Sequence, residues 1–475
     1  MKKILLSSIL LFGSLFSYSQ AHNVSAGYQK PTDPLVTQNL EEWQDLKFGL
    51  FMHWGIYSQW GIVESWSLCP EDEGWTKRKP EHGESYFEYV KNYENLQKTF
   101  NPVDFNPNKW AKAAKAAGMK YVVFTTKHHD GFNMFDTKES EYKVTSTATP
   151  FSSNPRSNIT KEIFEAFRED NFKIGAYFSK ADWNTDYYWW KYFPPKDRNV
   201  NYDPVKYPKR WEKFKQFTFN QINELTSNYG KVDILWLDGG WVRPFNTIDT
   251  TVDWQRTIKV EQDIDMDRIG SMARKNQPGI IVVDRTVPGK WENYVTPEQA
   301  IPEQALNVPW ESCITMGNSF SYVPNDKYKP AKKIVETLVK IISRGGNYLM
   351  NIAPGPNGDF DREAYKILED LSVWININEN AIYKTRAIKP YHQNEYYFTR
   401  SKDAKTINIF HLTEGEKYQT PEYYSFEVPG QGTIQDVKLL GYSGKLSWSL
   451  KDRTITIKSP KHNINYAAAF QVSLK

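Results

Sequence analysis

Between about residues 35 and 383, short apolar runs alternate with longer stretches whose apolar residues recur at three and four spacing. The runs are FGLFMHW (48–54), YVVFTT (121–126), KIGAYFS (173–179), DILWLD (233–238), IIVVDR (280–285) and NYLMNI (347–352). Each is apolar almost throughout, the pattern of a strand buried on both faces. Between them, residues 106–119, 160–171, 207–230 and 330–344 predict helices, with Pro or Asn near their starts. Strand–helix alternation over such a length predicts a parallel sheet. Its length and strand number favour a closed (β/α)8-like barrel, spanning 35–383, over an open doubly wound sheet. From 385 to 475 the pattern changes. YYFTR, INIFHL, YSFEV, DVKLLG, KLSWSL, TITIK and YAAAFQVSLK are short strands between turn residues, with no helical window. They predict a C-terminal all-β sandwich, with structural support of the barrel as its expected role and sugar binding as the other reading.

The first 20 residues follow neither pattern. Lys2 and Lys3 precede an apolar run from Ile4 to Phe16 and then small residues. This reads as a cleaved signal peptide ending near Ser19 to Ala21, and so as a secreted or periplasmic protein. The run is short for a membrane span, and no later stretch approaches 18 apolar residues, so no membrane insertion is expected. Cys69 and Cys313 are the two cysteines of the chain, enough for one disulfide or two buried thiols. A net charge of +4 over 475 residues, without a concentrated basic tract, gives no reason to expect a nucleic-acid partner. The 17 Trp and 29 Tyr do change the picture. In DWNTDYYWWKYF (182–193) they crowd together outside any apolar period, either as extra core or as walls for the C–H faces of sugar rings.

A barrel works at the carboxyl ends of its strands. Five predicted strands finish there on polar or aromatic groups: His53 and Trp54; His128, His129 and Asp130; Tyr177; Trp236 and Asp238; Asp284 and Arg285. The repetition carries more than any one member. His53 alone reads equally as a satisfied core histidine. Asp238 alone could cap a helix, but Trp236 shares its face and Gly239 and Gly240 leave space beside it. A carboxylate beside a flat aromatic wall suits an oxocarbenium-like sugar centre. Glycoside hydrolysis requires a second carboxyl group, and the loop after Arg285 offers Glu292, Glu298 and Glu303, among which this pattern does not choose. A metal-dependent hydrolase built on His128, His129 and Asp130 is the rival chemistry. It is disfavoured because neighbouring side chains on an extended segment point apart, and no metal or cofactor is expected.

KFGLFMHWGIYS, KHHDGFNMFDT, ILWLDGG, PWESC and RGGNYLMNIAPGPNG together resemble glycoside hydrolase family 29, the retaining α-L-fucosidases, over residues 40 to 380. The resemblance implies a barrel followed by a β-sandwich, and exo-hydrolysis of terminal α-L-fucosyl residues through a covalent fucosyl-enzyme intermediate. It implies Asp238 as nucleophile and, from the TPE triplet about a dozen residues past Arg285, Glu298 as acid/base. His53, His128 and His129 resemble the histidines that bind fucose hydroxyls, and Tyr177 the aromatic hydroxyl near the nucleophile. Trp236 and Arg285 match pocket positions. Glu64 and Trp66 resemble sugar contacts, and Phe320 the surface for the 6-methyl group. The implied partner is a fucosylated oligosaccharide or glycoconjugate. The alternative is a non-catalytic carbohydrate-binding protein on a degenerate glycosidase barrel. Linkage preference and oligomeric state are not given by the sequence.

Overall fold

The computed structural model describes residues 27–475, so the predicted signal segment lies outside the described residues. Seven parallel strands form the first sheet: β1 (Phe48–Met52), β2 (Tyr121–Lys127), β3 (Lys173–Ser179), β4 (Ile234–Asp238), β5 (Ile281–Asp284), β6 (Glu311–Thr315) and β7 (Asn347–Asn351). Their order is β5-β4-β3-β2-β1-β7-β6. Six coincide with the predicted runs. The sixth, Glu311–Thr315, was recognised only as a motif, because Glu311 and Ser312 break the apolar pattern. The four predicted helices form at Pro107–Ala116, Ile159–Glu169, Pro208–Asn228 and Ala331–Ser343. Asn106 and Asn158 cap the first two through their side chains. Helices at Pro34–Leu46, Tyr86–Glu94, Met266–Asn276 and Arg362–Ile382 complete the larger helical layer.

Period-two alternation divides the strands between two cores. Phe51, Val123, Tyr177, Trp236, Val283, Cys313 and Leu349 cluster inside the curled sheet. Their strand neighbours, among them Leu50, Val122, Phe124, Ile174, Ala176, Leu235 and Val282, pack with the helices. Burial on both faces explains why the strands read as unbroken apolar runs.

The sheet's two edges, β5 and β6, do not pair directly. The segment 292–298 lies between them. Asn293 N–H donates to Val282 O at 3.0 Å on one side. On the other, Glu311 N–H donates to Val295 O at 3.0 Å and Cys313 N–H to Pro297 O at 3.1 Å. This irregular stave closes the barrel, and it carries Glu298.

The remaining strands are β8 (Thr385–Gln393), β9 (Tyr396–Ser401), β10 (Thr406–His411), β11 (Tyr423–Glu427), β12 (Ile434–Leu439), β13 (Trp448–Lys451), β14 (Thr454–Lys458) and β15 (Ala468–Leu474). They build a five-stranded sheet, β12-β15-β10-β9-β8, and a three-stranded sheet, β11-β14-β13. Phe398, Ile409 and Phe470 from the first meet Tyr424, Phe426 and Ile455 from the second in one apolar layer. Cys69 and Cys313 are both buried free thiols, so the disulfide reading does not hold. No helix among the described residues is long and apolar enough to cross a membrane.

Candidate active site

Asp238 lies at the tip of β4, two residues past Trp236 and therefore on the same inward face. Its Oδ2 accepts from the Tyr177 hydroxyl at 2.8 Å, and its Oδ1 from Arg285 Nη1 at 3.2 Å. Burial opposes charge on Asp238, but the Arg285 guanidinium and the Tyr177 hydroxyl outweigh it and hold the carboxyl well below the usual range. The group is ionised at any working pH. Arg285 reaches Glu298 Oε2 with its other terminal nitrogen, so one cation spans both carboxylates. Its carbon lies 5.0 Å from the centre of the Trp236 ring, which forms the floor beneath.

These groups open into a cleft continuous with solvent. Nine of the eleven residues proposed from sequence line it: His53, Glu64, Trp66, His128, Trp236, Asp238, Arg285, Glu298 and Phe320. Tyr177 and His129 stand immediately behind, against Asp238. The structure also separates the three loop glutamates. Glu298 faces the cavity. Glu292 is buried, with Oε1 accepting from Thr286 N–H at 2.9 Å, and burial pushes its carboxyl up to about 8. Glu303 is exposed outside the cavity. Glu298 does not hang on a free loop: it rides on the barrel-closing stave, flanked by Cys313 N–H to Pro297 O and Gln299 N–H to Cys313 O.

The hydrogen-bond partners of the histidines determine what each ring offers. Asn351 Nδ2 donates to Phe320 O at 2.7 Å, which turns its Oδ1 toward His53 Nδ1 at 2.7 Å. His53 therefore carries its proton on Nδ1 and presents a bare Nε2. Ser179 spends its hydroxyl proton on Ala181 O at 2.7 Å and so accepts from His129 Nδ1 at 2.6 Å. His129 Nε2 is thus an acceptor too, buried without a partner, 3.8 Å from Asp238 Oδ2. Two acceptors at that distance call for a donor between them, such as a hydroxyl. His128 differs. Its Nδ1 lies 2.5 Å from Ser65 Oγ, which already accepts from Asp130 N–H at 2.9 Å. The buried serine satisfies its own proton by donating to Nδ1, which leaves His128 a donor at Nε2. Burial keeps all three rings neutral, His53 down to about 4 and His129 to about 3.

One geometric argument from sequence fails. His128 and His129 do not point apart: their ring centres are 4.2 Å from each other. Strand β2 ends at Lys127 and the chain turns, with Gly131 N–H donating to His128 O at 3.1 Å, so both rings converge on the site. Together with Asp238 they bring three donor atoms within 4.8 Å of one another. The guanidinium already on Asp238 and the proton that His128 carries on Nε2 make this a poor cation site and a good polyol site. Asp130 points elsewhere, accepting from the Tyr93 hydroxyl at 2.7 Å. Asp284 pairs with Lys180 inside the protein and also leaves the site to Arg285.

Glu64 is the second unusual carboxyl. It is buried in the cavity wall, and its Oε1 accepts from Ser321 N–H at 2.6 Å. Burial, with Glu298 and Asp238 facing it, pushes it up to about 7. Phe320 and Phe51 are 6.4 Å apart and give the cavity an apolar patch. In the 182–193 stretch, Trp183, Tyr188 and Trp189 are core, and Trp183 packs edge-on against Trp66 at 5.4 Å. Non-glycine residues with positive φ flank the chemistry: Glu64 (21°), Thr286 (63°, after Arg285) and Gln299 (51°, after Glu298). Sequence reading missed Phe51, Trp241, Trp254 and Thr286 in the lining. Phe51 and Trp241 had a detectable signal, two residues before His53 and three after Asp238, respectively.

An ionised aspartate, a second carboxyl group on the same arginine and an aromatic floor make a machine for glycosidic bonds, and on this barrel they define a glycoside hydrolase of the two-carboxylate class. The family model described as Alpha-L-fucosidase matches residues 15–380. The chain belongs to the alpha-L-fucosidase family. It is 26% identical over 457 residues to the plasma alpha-L-fucosidase of Homo sapiens, covering 91% of this chain and 88% of that one. Against the alpha-L-fucosidase of Dictyostelium discoideum it is 25% identical, over 91% of this chain and 87% of the relative. Among solved structures, alpha-L-fucosidase isoenzyme 1 from Paenibacillus thiaminolyticus superposes with a TM-score of 0.73 at 24% identity, covering 93% of this chain and all, 100%, of that one.

Proposed function

We propose that the protein is an exo-acting retaining α-L-fucosidase in which Asp238 is the nucleophile and Glu298 the acid/base. Asp238 attacks the anomeric carbon while Glu298 protonates the departing oxygen; Glu298 then takes a proton from the water that releases L-fucose. The observation that carries this reading is the single guanidinium shared by the two carboxylates. It supports the short separation, about 5–5.5 Å, that a nucleophile and acid/base pair use, over the wider gap that admits a water for inversion. His53 and His129 as acceptors and His128 as donor suit a sugar with vicinal hydroxyls, and the Phe51–Phe320 patch suits its methyl group. A related structure from Bacteroides thetaiotaomicron was solved as a trapped covalent intermediate with 2-fluoro-fucosyl fluoride. The Lys2–Phe16 pattern supports an exported enzyme.

The test is stereochemical. Hydrolysis of an aryl α-L-fucoside followed by proton NMR should show the α-anomer of fucose first; β-fucose appearing first would overturn retention. With azide, Asp238→Ala should yield β-L-fucosyl azide and Glu298→Ala α-L-fucosyl azide. One observation favours a second reading for the proton alone: Glu64 also lines the cavity, and burial holds its carboxyl up near neutrality. α-L-Fucosyl azide from Glu64→Ala, and none from Glu298→Ala, would move the acid/base role there.

A further inference from the structure

We propose that Trp254, backed by Arg243 and flanked by Thr286, is the platform for the sugar from which fucose departs, a pyranose held through its C–H face. The inference rests on the fucosidase reading and adds the class of leaving group. Trp254 lines the same cavity as the two carboxylates. Trp236 and Trp241 are almost wholly buried at 1% and 4% exposure, whereas Trp254 is half-buried and still has surface to give.

A chain of contacts ties it to the arginine that carries both carboxylates. The Arg243 guanidinium lies 5.4 Å from the Trp254 ring centre. Its Nη2 donates to Thr286 Oγ1 at 3.1 Å and to Thr286 O, and Thr286 follows the arginine that holds Glu298. On this proposal the oxygen protonated by Glu298 departs past Thr286 and Trp254, which line the same cavity as the two carboxylates. Arg243 is itself 1% exposed, and each of its hydrogen bonds goes to a neutral oxygen. Burying a cation on such terms is costly. What it achieves is rigidity: Nη1 holds Gln255 Oε1 at 2.8 Å and Thr247 O at 3.0 Å, tying the loop that bears Trp254 to the turn that bears Thr286.

Thr286 reinforces the assignment. A β-branched residue at φ 63° is strained, and the surrounding bonds hold it there. Its Oγ1 accepts a hydrogen bond from Arg243 Nη2, and its own hydroxyl proton is left to donate. Gly240 makes room for it, since a Cβ there would come within 2.0 Å of Thr286 Oγ1. An indole face, a hydroxyl donor and open space together recognise a pyranose by its C–H patch and one ring hydroxyl.

The experiment compares kcat/KM on a fucosyl disaccharide with kcat/KM on α-L-fucosyl fluoride, whose leaving group has no ring. In Trp254→Ala the disaccharide-to-fluoride ratio should fall about tenfold, mostly through KM, and Trp254→Phe should recover most of it. A ratio equal to that of the wild type overturns the proposal, because any loss would then belong to the fucose pocket or to folding. Wild-type protein inert on both substrates would overturn the fucosidase reading and this one with it.

Discussion

Glu64→Gln is the substitution whose consequence can be worked furthest from the structure. The amide keeps the shape and the oxygen that accepts from Ser321 N–H at 2.6 Å, but removes a carboxyl that burial pushes from 4.5 to about 7. The sign is opposite to that of an ordinary paired carboxylate. Between pH 4.5 and 7 the folded protein holds a proton on Glu64 that the unfolded chain has released, so raising the pH costs stability. At 1.36 kcal/mol per unit, a shift of that size corresponds to about 3 kcal/mol, fully expressed above pH 7 and absent below the unfolded value. The variant should match the wild type near pH 4 and exceed it by about 3 kcal/mol near pH 8. Guanidinium unfolding of both proteins from pH 4 to 8 is the assay. Glu292 and Glu311 are likewise raised by burial, but they contribute the same slope to both proteins and cancel in the difference. Parallel stability curves across that range would refute the reasoning and mean that Glu64 is charged in the folded state.

Asp238→Ala should lower turnover on an aryl fucoside by several orders of magnitude with the circular dichroism spectrum unchanged; near-normal activity in the folded variant would remove Asp238 from the chemistry. Tyr177→Phe deletes the 2.8 Å bond to Asp238 and should cost about 1.5–3 kcal/mol of transition-state stabilisation, read as ten- to a hundredfold in kcat/KM. Ser179→Ala frees the His129 ring from its Nδ1 partner and should raise KM more than it lowers kcat, in Michaelis kinetics on the same substrate. Dialysis against a chelator should leave activity intact, since Arg285 rather than a metal balances Asp238; loss restored by a divalent ion would place a metal at His128, His129 and Asp238 instead.

The strands were legible because burial on both faces writes itself into the chain as unbroken apolar runs, and period two then carries Trp236 and Asp238 to the same side of β4. β6 escaped for the opposite reason. Glu311 sits inside the barrel, satisfied by the Tyr121 hydroxyl at 2.5 Å and Trp236 Nε1 at 3.3 Å, and no local pattern announces that a glutamate will find such partners. The turn that brings His128 and His129 together was hidden for a similar reason, since alternation predicts side-chain direction only while the strand lasts.

By itself, then, the sequence determined most of the alternating elements, the change to short strands after 385 and the polar or aromatic groups at five strand tips, all consequences of burial and pitch acting within a few residues. Tertiary structure decided which of Glu292, Glu298 and Glu303 meets Asp238, and which ring nitrogens of the three histidines are bare. Those matters depend on contacts between residues 47 to 298 positions apart, such as Asp238 with Arg285 and His53 with Asn351. Closure of the barrel sets such distances, and spacing along the chain does not.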